Sequence, residues 1–186
     1  MKYLTALLLG SLLVGCDSGF TKARRASRLE HVAKKLAEAK SPEERFYALG
    51  DMAKESFIAG RTNDALNYAK ELATMTPKYV RDWNYGNAIQ DANLVFGRLA
   101  VLEGRLTDAK NFLILAGESP GSPQMDSFGP NMSLAKDLLE RGEREVVLDY
   151  FKLCKKFWDP QFSKLDEWAK EVEAGRIPDF GANLVY

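Results

Sequence analysis

"AGRTNDALNYAKELATMTP", residues 59–77, returns 44 residues later as "EGRLTDAKNFLILAGESP", residues 103–120. Both stretches carry Gly-Arg, then Asp-Ala, then Asn before an aromatic. A weaker third copy, "RGEREVVLDYFKLCKKFWDP" (141–160), centres on Gly142, 38 residues after Gly104. Self-similarity at such a period points to one supersecondary unit repeated, each unit burying a face that it cannot bury alone. Apolar residues recur at helical spacing on either side of the glycines, so the units read as helices.

Positions counted from each glycine sharpen the pattern. Seven before it stand Ala53, Gly97 and Ala135; five after it, Ala65, Ala109 and Val147. Nine after come Ala69, Leu113 and Phe151, and twelve after come Leu72, Ala116 and Cys154. Pro77, Pro120 and Pro160 close the copies. The pattern resembles the tetratricopeptide repeat, over roughly residues 43 to 160. That family's period is about 34 residues, so the spacings of 44 and 38 depart from it. Its early bulky aromatic is also missing, with Leu49 and Asn93 at the matching places; generic helical hairpins are the alternative. The resemblance implies two antiparallel helices per copy joined by a glycine turn, and a right-handed superhelix with a concave groove lined by first helices. Copies are expected at about 43–77, 82–120 and 130–160. The whole of 29–186 is expected to form a single all-α domain with N-terminal and C-terminal capping helices.

Local signals fill in the rest. Ser41-Pro42-Glu43-Glu44 is a strong helix start: a serine cap, proline in the first turn, acids at the dipole's positive end. A long helix is expected over about Asp82–Glu103, its early half rich in uncharged polar groups at Asn84, Asn87, Gln90 and Asn93. Phe162, Leu165, Trp168 and Val172 predict an amphipathic capping helix over 162–174. The tail, 175–186, reads as extended. Its Phe180, Leu184, Val185 and Tyr186 are too apolar for a free end and are expected to pack back on the helices, in the groove or elsewhere; a displayed recognition motif is the alternative. "ESPGSPQMDSFGP" (118–130) interrupts the helices without losing the repeat, and so reads as a shaped loop inside one domain. Met125 and Phe128 are expected to pin it, and Asp126 and Phe128 are its candidate functional residues.

"MKYLTALLLGSLLVGC" opens the chain with Lys2 and an apolar run from Tyr3 to Val14. Those 12 residues fall short of the about 20 that a spanning helix needs. They suit a secretory signal. Leu13-Val14-Gly15-Cys16 is similar to the lipobox of bacterial lipoproteins, which implies a signal peptide over 1–15, lipid on Cys16, and a protein held on a membrane of the cell envelope facing the periplasm. An ordinary signal peptide or short anchor containing a cysteine is the alternative. Asp17 after the cysteine resembles an inner-membrane retention signal. Residues 16–28 are expected to be a short basic tether. Arg24, Arg28, His31 and Lys35 form a basic stripe that either faces anionic headgroups or is a solvated helix face.

Chemistry-bearing motifs are sparse. With 26 basic and 26 acidic residues, no net field points to nucleic acid. One histidine and two cysteines make a side-chain metal cluster a poor expectation, and no cofactor motif is present. Cys154 falls on an inward position and reads as a buried structural thiol. Binding is better supported. Six residues before each turn glycine, a groove-facing place in the family, stand Lys54, Arg98 and Lys136. Tyr47 and Asp91, thirteen before, and Phe57, three before, flank them. Such a basic ladder suits an acidic or C-terminal peptide. The leading reading is a non-catalytic, membrane-anchored adaptor or assembly factor binding a protein partner. The alternatives are a small envelope enzyme, such as a carboxylate-dependent cell-wall or glycan hydrolase, and a structural lipoprotein that self-associates.

Overall fold

The computed structural model of the protein describes residues 19–158 and 164–185, with 19–22 as backbone alone. The lipidation reading at Cys16 and the retention reading at Asp17 lie outside these residues. The described chain is all-α, with no strand among the described residues. Its helices are α1 (Gly19–Ala37), α2 (Pro42–Ile58), α3 (Thr62–Met75), α4 (Tyr85–Leu102), α5 (Leu106–Gly117), α6 (Pro123–Phe128), α7 (Ser133–Leu139), α8 (Arg144–Cys154) and α9 (Lys164–Glu173).

Three hairpins form around the glycines found in the sequence: α2 with α3 at Gly60, α4 with α5 at Gly104, α7 with α8 at Gly142. The turns are copies of one another. Each glycine has positive φ, 76°, 74° and 82° in order. The next residue donates its N–H five residues back, Arg61 to Ser56, Arg105 to Ala100, Glu143 to Leu138. That bond and the left-handed glycine make the Schellman ending of a helix. A Cβ on these glycines would meet nothing, so handedness and not space selects the residue.

The small positions hold the helices together. Ala53, Ala135, Ala65, Ala109 and Val147 are fully buried. A Cβ on Gly97 would stand 2.2 Å from Leu134 Cδ2, so α4 and α7 approach too closely there for a side chain. First helices touch in succession, α2 with α4 and α4 with α7, while α1 covers α2 and α9 covers α8. At α2 the serine cap appears as expected, with Glu44 N donating to Ser41 Oγ at 3.1 Å.

Several boundaries differ from the sequence reading. Helix α1 begins at Gly19, so much of the expected tether is helical. Helix α4 begins at Tyr85, because residues 76–79 form a 3-10 turn and Asp82 accepts from Asn84 N at 2.7 Å. Trp83 is left outside the helix and half exposed. In the loop, Met125 is buried but Phe128 is 59% exposed, so only one of the two expected pins holds it. Helix α7 starts at Ser133 and not at Pro130. The intervening Asn131 is in an Asx turn, its Oδ1 accepting from Ser133 N at 2.8 Å. The tail is extended only to Asp179; Phe180 is buried and 181–184 form a 3-10 turn. Residues 162 and 163 of the expected capping helix lie outside the described residues.

The polar half of α4 finds its purpose in this loop. Gln90 is buried, its Oε1 accepting from Asn131 N at 3.1 Å and its Nε2 donating to Tyr150 Oη at 3.2 Å. Tyr150 Oη in turn donates to Asn131 O at 2.9 Å. Ser122 Oγ donates to Asn87 Oδ1 at 2.7 Å, and Ser119 Oγ to Gly86 O at 2.8 Å. Buried polar groups of this kind cost stability unless paired, and here α4 pairs those of the loop.

Candidate functional site

The first helices of the hairpins line a cleft of about 450 Å³, open to solvent. Lys54, Glu55, Phe57 and Ile58 come from α2, Leu94, Val95 and Arg98 from α4. Asn131 and Ser133 lead into α7, which supplies Lys136 and Asp137 to an adjoining hollow of about 710 Å³. Arg28 of α1 and Leu184 and Val185 of the tail close both hollows. The fold explains this clustering: positions one turn apart on α2, α4 and α7 face the same side because the three turns are copies.

Lys54, Arg98 and Lys136 therefore lie along this side, but not as open cations. Lys54 Nζ lies 3.0 Å from Asp91 Oδ1 and 3.4 Å from Asp51 Oδ1. Arg98 Nε donates to Asp137 Oδ2 at 2.7 Å, and its guanidinium stands 4.4 Å from the centre of the Phe57 ring. Lys136 pairs with Glu140 at 3.5 Å on its own helix. Glu55, 4% exposed, is met by Arg28 at 2.5 Å. The cations were legible in the sequence, and so was Asp91 beside them; Asp51, Glu55, Asp137 and Glu140 were not singled out. A usable sign was there, since Asp51 stands one turn before Lys54 and Asp137 next to Lys136.

The electrostatics follow from burial and pairing. Burial pushes the Asp91 carboxyl up against the pull of Lys54. For Lys54 burial works downward, but Asp91 and Asp51 outweigh it and hold the ammonium above its ordinary value. Burial likewise raises Glu55, opposed by Arg28. Removing one member of such a pair strands the other charge, which costs more than the pair contributes.

The remaining candidates separate. Asp91 also faces a smaller hollow with Asn87, Gln90, Gln124 and Met125. Tyr47 is outside the cleft: its hydroxyl lies 2.7 Å from both Glu43 Oε1 and Asp82 Oδ2, and its ring 5.2 Å from Trp83. Those carboxylates, Glu43 first, hold the phenol above its ordinary value. It borders a different hollow with His31, Lys34 and Lys35. Within the basic stripe, Arg28 is turned onto Glu55 while Arg24, His31 and Lys35 are exposed. Asp126 and Phe128 are both exposed on α6. Cys154 is buried, and among the described residues no group of three His, Cys, Asp or Glu side chains is placed to hold a metal ion. No helix among the described residues is long and apolar enough to cross a membrane.

Sequence reasoning missed the residue that ties the tail down. Asn183 Nδ2 donates to Phe128 O and to Pro130 O, both at 3.0 Å, and Asn183 O accepts from Met132 N at 2.7 Å. A lone asparagine among apolar residues gives no spacing signal. Its role depends on where the loop folds. No known protein family, no characterised protein and no solved structure matches the chain.

Proposed function

We propose that this protein is a non-catalytic adaptor or assembly factor of the bacterial envelope. In this reading it is lipid-anchored at Cys16, and a short tetratricopeptide-like superhelix holds a protein partner along its first helices. The observation that carries the reading is the cleft lined by α2, α4 and the approach to α7, apolar at Phe57, Ile58, Leu94 and Val95 and edged by paired charges. The three copied turns support the repeat architecture, since each places its first helix on the same side. A carboxylate-dependent hydrolase has weaker support, because Glu55 of the cleft and Asp91 of the smaller hollow, the acids that burial raises, are each held by a cation.

Crosslinking in cells followed by mass spectrometry tests the reading, comparing the native chain with Ile58→Arg/Lys136→Glu. Both positions are at the rim, and Lys136 has only an exposed same-helix partner, so the variant should fold. The expected result is loss of the principal crosslinked partner; an unchanged partner set in a folded variant overturns the groove. Cys16→Ser tests the anchor separately and should release the protein from membranes and abolish fatty-acid labelling. Retained labelling rules out the lipid anchor at Cys16.

A further inference from the structure

The tail is held unevenly, and the change falls between two neighbouring residues. Phe180 is buried, edge-on to Trp168 at 5.0 Å and to Phe151 at 6.3 Å. Asn183 is buried and makes the three bonds to the loop described above. Beyond it the grip weakens. Leu184 is half-buried at the cleft wall and Val185 is 53% exposed. Among the described residues, the side-chain bond that Val185 receives is from Arg28 Nη2 to its carbonyl, at 3.1 Å. An anchored segment thus leads into an arm, Leu184 packed on the edge of the core and Val185 exposed, that rests where the cleft meets the adjoining hollow.

The cleft's chemistry matches that arm. Its walls offer Ile58, Leu94 and Val95 for aliphatic side chains, and Arg28 offers a donor for a main-chain carbonyl. Its charges are already matched within the chain: Lys54 with Asp91 and Asp51, Arg98 with Asp137, Lys136 with Glu140, Arg28 with Glu55. Apart from Lys136, whose partner Glu140 is exposed, an acidic peptide would gain cations only by taking them from the largely buried Glu55, Asp91 and Asp137, which would be left costly and unpaired. An uncharged aliphatic strand displaces nothing but the arm.

Resting on the reading of the cleft as a partner groove, we infer that the groove binds an extended, uncharged peptide segment with two adjacent aliphatic side chains, and that Leu184–Val185 is its resident competitor. A partner of that chemistry enters as the arm leaves, while Asn183 and Phe180 keep the tail root and the loop in place. An arm seated about nine-tenths of the time weakens a competitor about tenfold.

Fluorescence anisotropy on the full chain tests this, with a labelled peptide copying residues 182–186 as the probe. Leu184→Gly/Val185→Gly frees the groove and leaves the Asn183 clamp. It should bind the probe at least about tenfold more tightly than the native chain. Adding Ile58→Arg should abolish that gain. A second probe with both aliphatic residues replaced by glutamate should not bind. Equal binding of the first probe to native and freed chains, or no binding to a freed chain that is folded by circular dichroism, overturns the inference. So does a freed chain that loses amide-exchange protection at Met132 and Asn131, since the arm would then be structural. Preference for the acidic probe overturns the inference yet leaves the partner groove standing, which crosslinking of the Ile58→Arg/Lys136→Glu variant judges independently.

Discussion

Cys154 shows how much one buried side chain can report. It stands on α8 where the repeat pattern asks for an inward residue, and it is fully buried among Val147, Tyr150 and Phe151. Burial pushes its thiol well up from an ordinary value of 9.0, against the pull of the Tyr150 hydroxyl, and burial raises Tyr150 too. Reactive thiols are thiolates, so the folded protein should resist labelling. The stability consequence has a definite sign. A group whose folded pKa is raised contributes fully below its unfolded value, and that contribution is lost as pH rises toward the folded value. In a Cys16→Ser chain, where Cys154 is the remaining thiol, a disulfide reagent at pH 8 should react only as fast as the protein opens. The unfolding midpoint in urea should fall as pH rises past about 9. Stoichiometric labelling within seconds under native conditions would mean that the layer under α8 is open.

Between elements, the decisive contact is that of α4 with the loop over 118–131. A Cβ on Gly86 would stand 1.8 Å from Gly121 O and 2.5 Å from Gly121 C. Backbone cannot swing aside as a side-chain tip can, so either the loop or the start of α4 must move. Overpacking of this kind costs about 1–3 kcal/mol, which for a chain of this size lowers the melting temperature by about 2–4 °C per kcal/mol. Gly86→Ala should therefore melt roughly 2–12 °C lower and should expose the Ser119 and Ser122 amides to exchange. Gly60→Ala is the informative contrast. Nothing crowds its Cβ, and its φ of 76° carries the whole penalty, of order 1 kcal/mol. The difference also marks what could be read from sequence. Turn glycines announce themselves by repeating with their flanking residues, and the hairpins could be placed from them. Gly86 belongs to no repeat; its partner lies 35 residues away across a loop whose path no local propensity dictates. The same holds for the site. Lys54, Phe57, Arg98 and Lys136 were found from their spacing, because a shared turn geometry gives them a shared direction. Arg28 and Val185 were not read as a pair, since they meet only when the two ends of the described chain come together.

That meeting sets the behaviour of the molecule as a whole. Stacked hairpins contact only their neighbours, and an open stack unfolds as a one-dimensional array whose terminal units can leave first. Here the tail crosses back over the stack: Phe180 enters the core formed by α7, α8 and α9, Asn183 fastens the loop after α6, and Val185 reaches Arg28 on α1. Contacts spanning 157 residues, as Arg28 to Val185 does, couple the first helix to the last segment. The native chain should then unfold in urea as one transition, with circular dichroism and tryptophan fluorescence coincident. Phe180→Ala removes the aromatic root of the tail, at about 3–5 kcal/mol for a buried phenylalanine. It also withdraws the strap from the C-terminal hairpin. Fluorescence should then move to lower urea ahead of circular dichroism, because Trp168 packs on Phe180 at 5.0 Å and on Trp158 at 5.8 Å, while α1–α4 keep core clusters that Phe180 does not enter. A Phe180→Ala chain that still unfolds with the two probes superimposed would show that hairpin stacking alone supplies the cooperativity, and that the tail contributes stability without coupling the ends.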